Sequence, residues 1–347
     1  MANAPVTEEQ VRNALRTVND PELHKDLVTL DFVRDIHIKG NDVSFSVTLT
    51  TPACPLKDRI REESESAVRR LVPGVGSVTV SFDARVRADR RIEEKLHLPI
   101  RTIVAVGSGK GGVGKSTVSA NLAVALAASG AAVGLLDADV YGPNIPTLMG
   151  VEDLPAPDGE TLVPAAAHGV KIMSMGFLIG PEEALVWRGP MIHGALKQLL
   201  TEVAWGDLDY LVVDLPPGTG DAQLSVAQLV PLTGGVVVTT PQLLSVSDAR
   251  RGVTAFQKLG VPVIGIVENM RGDVFGSGGG ERAAEEMGVP FLGAVPLDPR
   301  VARLGDEGKP PVVSDAASDA SVALRSIAQR VAAGISVHQF NSNGSGR

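Results

Sequence analysis

The feature that most constrains this chain is the run Gly109-Lys110-Gly111-Gly112-Val113-Gly114-Lys115-Ser116, followed by Thr117. It fits the phosphate-loop pattern GxxxxGK[ST] at every position. An apolar run, Thr102–Val106, precedes it and a helical pattern follows, so the pattern sits in the strand–loop–helix context it needs. The glycines let backbone N–H groups converge on phosphate oxygens, and the following helix turns its positive end to the same anion. Lys115 is placed to reach the β- and γ-phosphates and Ser116 to ligate magnesium. A Gly-rich turn with a surface lysine is the alternative reading, and it leaves the flanking pattern unexplained.

The rest of the chain agrees with that context. From Ile100 onward, short apolar runs alternate with helical ones: Thr102–Val106, Val133–Leu136, Leu211–Val213, Gly235–Thr239, Val263–Val267 and Phe291–Ala294. Runs this short and this apolar fit strands buried on both faces of a parallel sheet. The fold class expected is α/β, a doubly wound, mostly parallel P-loop NTPase sheet over residues 99–335, preceded by a small α+β domain over 1–83. In the small domain, Thr7 and Gln10 form a capping box that opens a helix through Val18, stopped by Asp20-Pro21. Phe32–Ile38 and Asp42–Leu49 alternate apolar and polar around Gly40-Asn41, a hairpin. A helix over about Leu56–Leu71 and a strand at Ser77–Phe82 complete the order αββαβ. Residues 84–98, with four arginines, read as a charged linker, partly helical. A helix at about Ala320–Ile335 carries a core-type stripe, and the tail 336–347, ending NSNGSGR, is expected to be disordered.

Composition narrows the function classes. Net charge is −8, which argues against a nucleic-acid partner bound through bulk positive charge. Aromatic residues are only 3% of the chain, too few for an extended base-stacking platform. The N-terminus lacks a basic and then apolar leader pattern, and the most membrane-like stretch, Ala120–Leu136, reads better as a helix running into a buried strand. No membrane partner is expected. One cysteine excludes an intrachain disulfide and a zinc or iron–sulfur site built from one chain's thiolates, and a cytoplasmic location is expected.

Other residues carry candidate chemistry. Asp137 and Asp139 follow an apolar strand, where a carboxylate points into the ligand crevice of such a sheet. Asp139 could orient an attacking water and Asp137 could hold magnesium through water, or both could be turn residues ahead of Gly142-Pro143. Asp214 closes the apolar run of YLVVD, the position of a magnesium-binding carboxylate. Pro216-Pro217-Gly218 then form a stiff loop whose Gly218 amide suits a γ-phosphate sensor. Cys54 stands just ahead of a predicted helix. It is either a thiol with a lowered pKa and raised reactivity or a small buried hydrophobe. The six histidines are scattered without metal-ligand spacing.

The segments GKGGVGKST, LLDADVYGPNIPTLMG, WRGPM, DLPPGTGDAQL, TTPQ, SVSDARRGV, VENM and VPLDPRV together resemble the Mrp/ApbC-type ATPases, iron–sulfur cluster carriers of the deviant-Walker group. The resemblance spans about Pro99 to Val313. The N-terminal segments DPEL and TTPACPLKDRI resemble the SufT-related domain that many bacterial members carry in front. The resemblance implies ATP and Mg2+ as cofactors, an iron–sulfur cluster as cargo, a homodimer, and apoprotein clients and iron–sulfur assembly proteins as partners. It implies that Lys110 reaches the nucleotide of a second subunit, that Asn269 contacts adenine, and that Pro296 lies near the base. It places Cys54 at the SufT-related domain's cysteine position, a candidate cluster ligand. One departure stands out. The family's Cys-x-x-Cys pair after ENM is replaced by Arg271-Gly272-Asp273-Val274-Phe275-Gly276, so two chains would offer only two copies of Cys54 where a cluster ordinarily needs four ligands. Three expectations follow: a slow ATP-dependent cluster carrier; a regulatory or positioning MgATPase that holds no cluster; or an adaptor in which ATP only locks a dimer.

Overall fold

The computed structural model describes residues 5–159, 161–178, 189–218, 226 and 229–344. The chain divides into two compact units, one formed by Met1–Arg87 with Ser336–Arg347 and the other by Ala88–Ile335.

The first unit begins with α1 (Glu8–Leu15), the short strands β1 (Asn19–Asp20) and β2 (Lys25–Asp26), and the hairpin β3 (Val33–Lys39) and β4 (Asp42–Leu49). The helix α2 (Lys57–Leu71) and strand β5 (Val78–Ala84) follow. The capping box is present: the Gln10 N–H donates to Thr7 Oγ1 at 3.3 Å and the Thr7 N–H to Gln10 Oε1 at 3.0 Å. α1 stops at Leu15 rather than Val18, because Asn19–Asp20 pairs antiparallel with Lys25–Asp26. Asp20 Oδ1 accepts the N–H groups of Glu22 and Leu23, which fixes the turn between them. β3 and β4 are antiparallel around Gly40 at φ +64°, and β4 and β5 are parallel. Val11, Leu15, Phe45, Val47, Ile60 and Val68 form the centre of this unit's core.

The second unit contains α3 (Arg90–Leu96), β6 (Ile103–Ser108), α4 (Lys115–Ala128), β7 (Val133–Asp137), α5 (Ile145–Met149), β8 (Ala165–Ala167) and β9 (Val170–Ser174). It continues with α6 (Gly189–Thr201), β10 (Tyr210–Asp214), β11 (Gly234–Thr239), α7 (Leu243–Lys258), β12 (Val263–Arg271), α8 (Gly279–Met287) and β13 (Phe291–Pro296). The last helices are α9 (Pro299–Asp306), α10 (Pro311–Ser314) and α11 (Asp319–Gly344), the last of which belongs to the second unit only as far as Ile335. The eight strands run in the order β13-β12-β11-β6-β10-β7-β9-β8, parallel except for β8 against β9. All residues of β6, β7, β10 and β11 are buried, as strands covered by helices on both faces require. The chain leaves β6 for β7 and returns to β10, and later adds β11 on the other side of β6. The strand order therefore reverses at β6, and in such sheets ligands bind at that switch point. No helix among the described residues is long and apolar enough to cross a membrane.

Two expectations are corrected. Residues 84–98 are not a linker: 84–87 belong to the first unit and 88–98 to the second. Ile92 is fully buried in the second unit's core, the Asp89 N–H donates to the Arg101 carbonyl at 2.7 Å, and the Arg91 guanidinium reaches the Leu232 carbonyl at 3.1 Å. The exposed arginines and glutamates of the segment conceal two buried apolar residues, Val86 in the first unit and Ile92 in the second. The tail expected to be disordered is instead helical as far as Gly344, the last residue described, and packs with the first unit. Its anchor is Phe340, whose ring lies between Lys25 Nζ at 5.2 Å and the Arg87 guanidinium at 4.9 Å from the centroid. Gln339 Nε2 also donates to the Arg87 carbonyl at 3.2 Å.

Each cation over the ring contributes about 0.5–1 kcal/mol at a half-exposed site, and lost apolar contact adds to this. Phe340→Ala is therefore expected to destabilise the first unit by about 2 kcal/mol. Faster amide exchange in β3–β5 of the intact chain, with β6 and β10 unchanged, checks it.

Candidate nucleotide-binding site

The phosphate loop leaves β6 at Ser108 and enters α4 at Lys115. Its path depends on glycine at two points. Gly112 and Gly114 lie at φ +79° and +78°, in the left-handed region. A Cβ on Gly109 would stand 2.1 Å from the Asp248 main-chain carbon and oxygen, so α7 closes directly on the loop's first residue. The Ser108 hydroxyl donates to the Lys110 carbonyl at 2.9 Å, and the Gly218 N–H to the Ser108 carbonyl at 2.9 Å. Gly218 thus stands against the start of the loop, with its N–H committed to the Ser108 carbonyl. Lys110, Gly111, Gly112, Gly114, Lys115, Ser116 and Thr117 all line one cavity of about 480 Å3, whereas Val113 is 2% exposed and turned into the protein.

The carboxylates converge at the strand ends. β10 and β7 pair in register with Asp214 opposite Asp137. Asp214 is fully buried, and each of its oxygens is engaged. Oδ2 meets Lys115 Nζ at 2.8 Å and accepts from the Ser116 hydroxyl at 2.6 Å, while Oδ1 lies 2.6 Å from the Ser119 hydroxyl. Lys115 also faces Asp139 Oδ2 at 3.7 Å. Asp139 Oδ1 accepts from the N–H groups of Tyr141 and Gly142, both at 3.2 Å. Asp137 is enclosed: its oxygens accept from the Asp139 N–H, the Ile145 N–H and the Ser174 hydroxyl. It braces the 138–145 loop rather than facing the cavity. Burial, and then Asp214, hold the Asp137 carboxyl above the ordinary carboxylate range. Burial also raises Asp139, against the pull of Lys115.

Ser116 Oγ and Asp214 Oδ2, 2.6 Å apart, are hard oxygen donors beside a phosphate loop. That pair fits magnesium, which takes one or two protein oxygens together with phosphates and water. Among the described residues, no group of three or more His, Cys, Asp or Glu side chains could hold a metal by itself.

Asn269, near the end of β12, is 7% exposed, and its Nδ2 donates to the Val113 carbonyl at 2.9 Å. A Cβ on Gly114 would collide with that amide at 2.2 Å, so the last loop glycine makes room for Asn269. The next residue, Met270, is held at φ +60°. Pro296 ends β13 opposite Arg271. Glu268, 1% exposed, accepts the Gly278 and Gly280 N–H groups at 2.9 and 2.7 Å and so caps α8. Between them, Gly272 and Gly276 exchange two main-chain hydrogen bonds in a tight closed turn. This turn occupies the segment where the family resemblance implies a cysteine pair.

The cavity wall adds Tyr141, Gly142, Asn144, Thr147, Leu148 and Asp306, of which the motifs marked none as a site residue. Tyr141, Gly142 and Asn144 follow Asp139 so closely that the motif's own continuation was the available signal. Asp306 comes from α9, and no local pattern points to it. Of the motif segments, residues 187–188 and 219–224 lie outside the described residues.

Cys54 belongs to the first unit and is half-buried. Its thiol is pushed up to about 11 by burial, with Glu22 and Asp20 adding to this and the Leu56 N–H opposing it. The lowered pKa that a helix N-terminus suggested is absent, because desolvation outweighs the helix. Glu22 is itself pushed up to about 7 by burial and by Asp20.

A phosphate loop at the switch point of a parallel sheet, with an acidic strand end beside it, defines a P-loop NTPase. The solved structures agree. The nucleotide-binding protein of Archaeoglobus fulgidus, in complex with ADP, is 41% identical, with a TM-score of 0.55 over 64% of this chain and 92% of that one. The cell division ATPase MinD of Pyrococcus furiosus is 25% identical, with a TM-score of 0.54 over 66% and 98%. Residues 99–332 match the NUBPL iron-transfer P-loop NTPase family and 8–82 match an iron–sulfur cluster assembly protein family. The chain belongs to the NUBPL iron-transfer P-loop NTPase family. Its relatives include the iron–sulfur cluster carrier proteins of Synechocystis, 50% identical over 96% of this chain and 99% of that one, and of Escherichia coli K12, 40% identical over 93% and 91%. The chloroplastic Fe-S cluster assembly factor HCF101 of Arabidopsis thaliana is 44% identical over 91% of this chain and 62% of its own length.

The raised Glu22 carboxyl has a pH consequence. It binds its proton more tightly in the folded chain than in the unfolded one. Its stabilising effect is therefore complete below the ordinary value of 4.5 and is lost as pH climbs through about 7. Glu22→Gln, permanently neutral, is expected to gain stability relative to wild type between about pH 5 and about pH 8. Amide-exchange protection of β4 in the intact chain, followed across that range, reads the effect. A constant difference between the two proteins would contradict it.

Proposed function

We propose that this chain is an ATP-hydrolysing iron–sulfur cluster carrier that transfers clusters to apoprotein clients. One observation carries the reading: relatives named iron–sulfur cluster carrier proteins match more than nine-tenths of the chain at 40–50% identity, and the phosphate loop is complete. ATP lies in the cavity with its phosphates in the loop. Ser116 and Asp214, with Asp137 behind them, would hold magnesium, which would supply charge neutralisation at the transferring phosphoryl. Lys115 turns from Asp214 to the phosphates. Asp139 orients the attacking water, and the Gly218 amide turns from the Ser108 carbonyl to meet the γ-phosphate. With its Nδ2 already on the Val113 carbonyl, Asn269 has Oδ1 left to accept from the amino group of adenine. Pro296 lies beside the base. Lys110 completes the site of a second copy in a homodimer, where a cation delivered in trans stabilises the transferring phosphoryl. The protein works in the cytoplasm with iron–sulfur assembly proteins, and without membrane or nucleic acid.

A second reading, a regulatory MgATPase that holds no cluster, is favoured by one observation: the chain has a single cysteine. Two chains supply two thiolates, and a cluster ordinarily takes four ligands. In the carrier reading, Cys54 is the thiolate, the remaining ligands come from small thiols or the client, and the cluster is labile.

Lys115→Ala is expected to lower ATP hydrolysis by at least about 100-fold, as loss of a charge-assisted contact to the reacting phosphoryl does elsewhere. Hydrolysis at the wild-type rate would overturn the site. Anaerobic reconstitution, followed by iron, sulfide and visible absorbance, separates the two readings. Wild type is expected to take up cluster and Cys54→Ser to lose it while binding ATP normally. Cluster uptake by neither protein favours the regulatory ATPase, and equal uptake by both removes Cys54 as a ligand.

A further inference from the structure

We infer that Ser119 is a positioning residue for Asp214: it holds the carboxylate so that Oδ2 keeps facing Ser116 and the phosphates through the nucleotide cycle. The inference rests on the nucleotide reading given above. The phosphate-loop pattern ends at Ser116, so Ser119 lies outside it.

Ser119 sits on α4 one turn beyond Lys115 and is fully buried. Its hydroxyl lies 2.6 Å from Asp214 Oδ1 and 3.0 Å from the Lys115 carbonyl. A hydroxyl has one proton to give. The shorter contact is to an ionised acceptor, where a hydrogen bond is about twice as strong as between neutral groups. The Lys115 carbonyl already accepts in the helix ladder. The proton therefore belongs to Asp214.

The two oxygens of Asp214 have partners of different kinds. Oδ2 is held by Lys115 and Ser116, both of which have work at the phosphates. When nucleotide enters, Lys115 turns to the phosphates and the Ser116 oxygen is given to the metal, so neither keeps its present bond to the carboxylate. Ser119 has no other task and no route to the cavity, since it is absent from the lining. Its bond to Oδ1 is the one that persists. Without it, a buried oxygen beside Asp137 loses its donor, and the carboxylate gains reason to rotate away from Ser116. Outer partners of metal-binding side chains act in this way, and their loss weakens metal affinity by about 10- to 100-fold.

The test uses the full chain with Mn2+ as the metal probe. Mn2+ binding to the ADP complex is measured by electron paramagnetic resonance, and ADP binding in chelator by calorimetry. Ser119→Ala is expected to weaken Mn2+ by about 10-fold while leaving metal-free ADP affinity within about two-fold. Ser119→Thr, which keeps the hydroxyl, is expected to recover most of the loss. Unchanged Mn2+ affinity in Ser119→Ala would overturn the inference, as would an equal loss of metal-free ADP affinity. Should Ser119→Ala fail to fold, Ser119→Cys keeps the volume with a weak donor, and wild-type Mn2+ affinity in it would overturn the inference equally. A wild-type protein that binds no ADP would instead overturn the nucleotide reading, and this inference with it.

Discussion

The site is organised around one buried anion. Asp214 has no exposed surface, and a carboxylate taken from water in that way is costly unless it is paired and hydrogen-bonded. Lys115, only 6% exposed, supplies the charge, and Ser116 and Ser119 supply the donors. All three come from the first five residues of α4. The strand end of β10 and the start of the helix after β6 are thereby tied together at the point where the sheet order reverses. The arrangement is poised as well as stable, because Lys115 also faces Asp139 and has the loop amides beside it. An anionic phosphate competes for the same ammonium, so the interaction that holds the empty site is also the one that ligand binding exchanges.

The neighbouring strand ends extend this logic. β12 delivers Asn269 to the loop and, one residue earlier, Glu268 to the start of α8. The phosphate loop and the closed turn at Gly272–Gly276 therefore share one strand, with Met270 at positive φ between them. On the other flank, Ser174 of β9 and the Ile145 N–H fix Asp137, which in turn fixes the loop carrying Asp139. Residues with no contact to the cavity thus decide the positions of those that line it. The first unit carries its own chemistry separately. There a half-buried thiol and a half-buried carboxyl both hold their protons more tightly than usual, and both do so because they are poorly solvated.

Much of this was legible in the residue order, for identifiable reasons. The phosphate loop announced itself because its backbone geometry demands glycine at fixed spacing. The six apolar runs were recognisable as strands because burial on both faces leaves no room for polar alternation. β8 and β9 were not, since Ala165–Ala167, at the sheet edge, is short and Val170–Ser174 mixes Lys171 and Ser174 among apolar residues. Ser119 and Ser174 were invisible for a different reason: a serine in an apolar helix or strand reads as filler until the chain brings a carboxylate to it. Asp306 reaches the cavity from a helix far along the chain. The low-complexity ending concealed Phe340, whose two cations come from residues 25 and 87. At Cys54 the local rule, a helix N-terminus that lowers a pKa, was sound but lost to desolvation.

The most direct test is a crystal structure of the full chain with magnesium and ADP. Lys115 Nζ is expected to have left Asp214 Oδ2 for the β-phosphate, beyond about 3.5 Å from the carboxylate, outside ordinary hydrogen-bond range. Ser119 is expected to remain bonded to Oδ1. Nucleotide in the cavity with the Lys115–Asp214 contact intact at its present 2.8 Å would contradict that exchange.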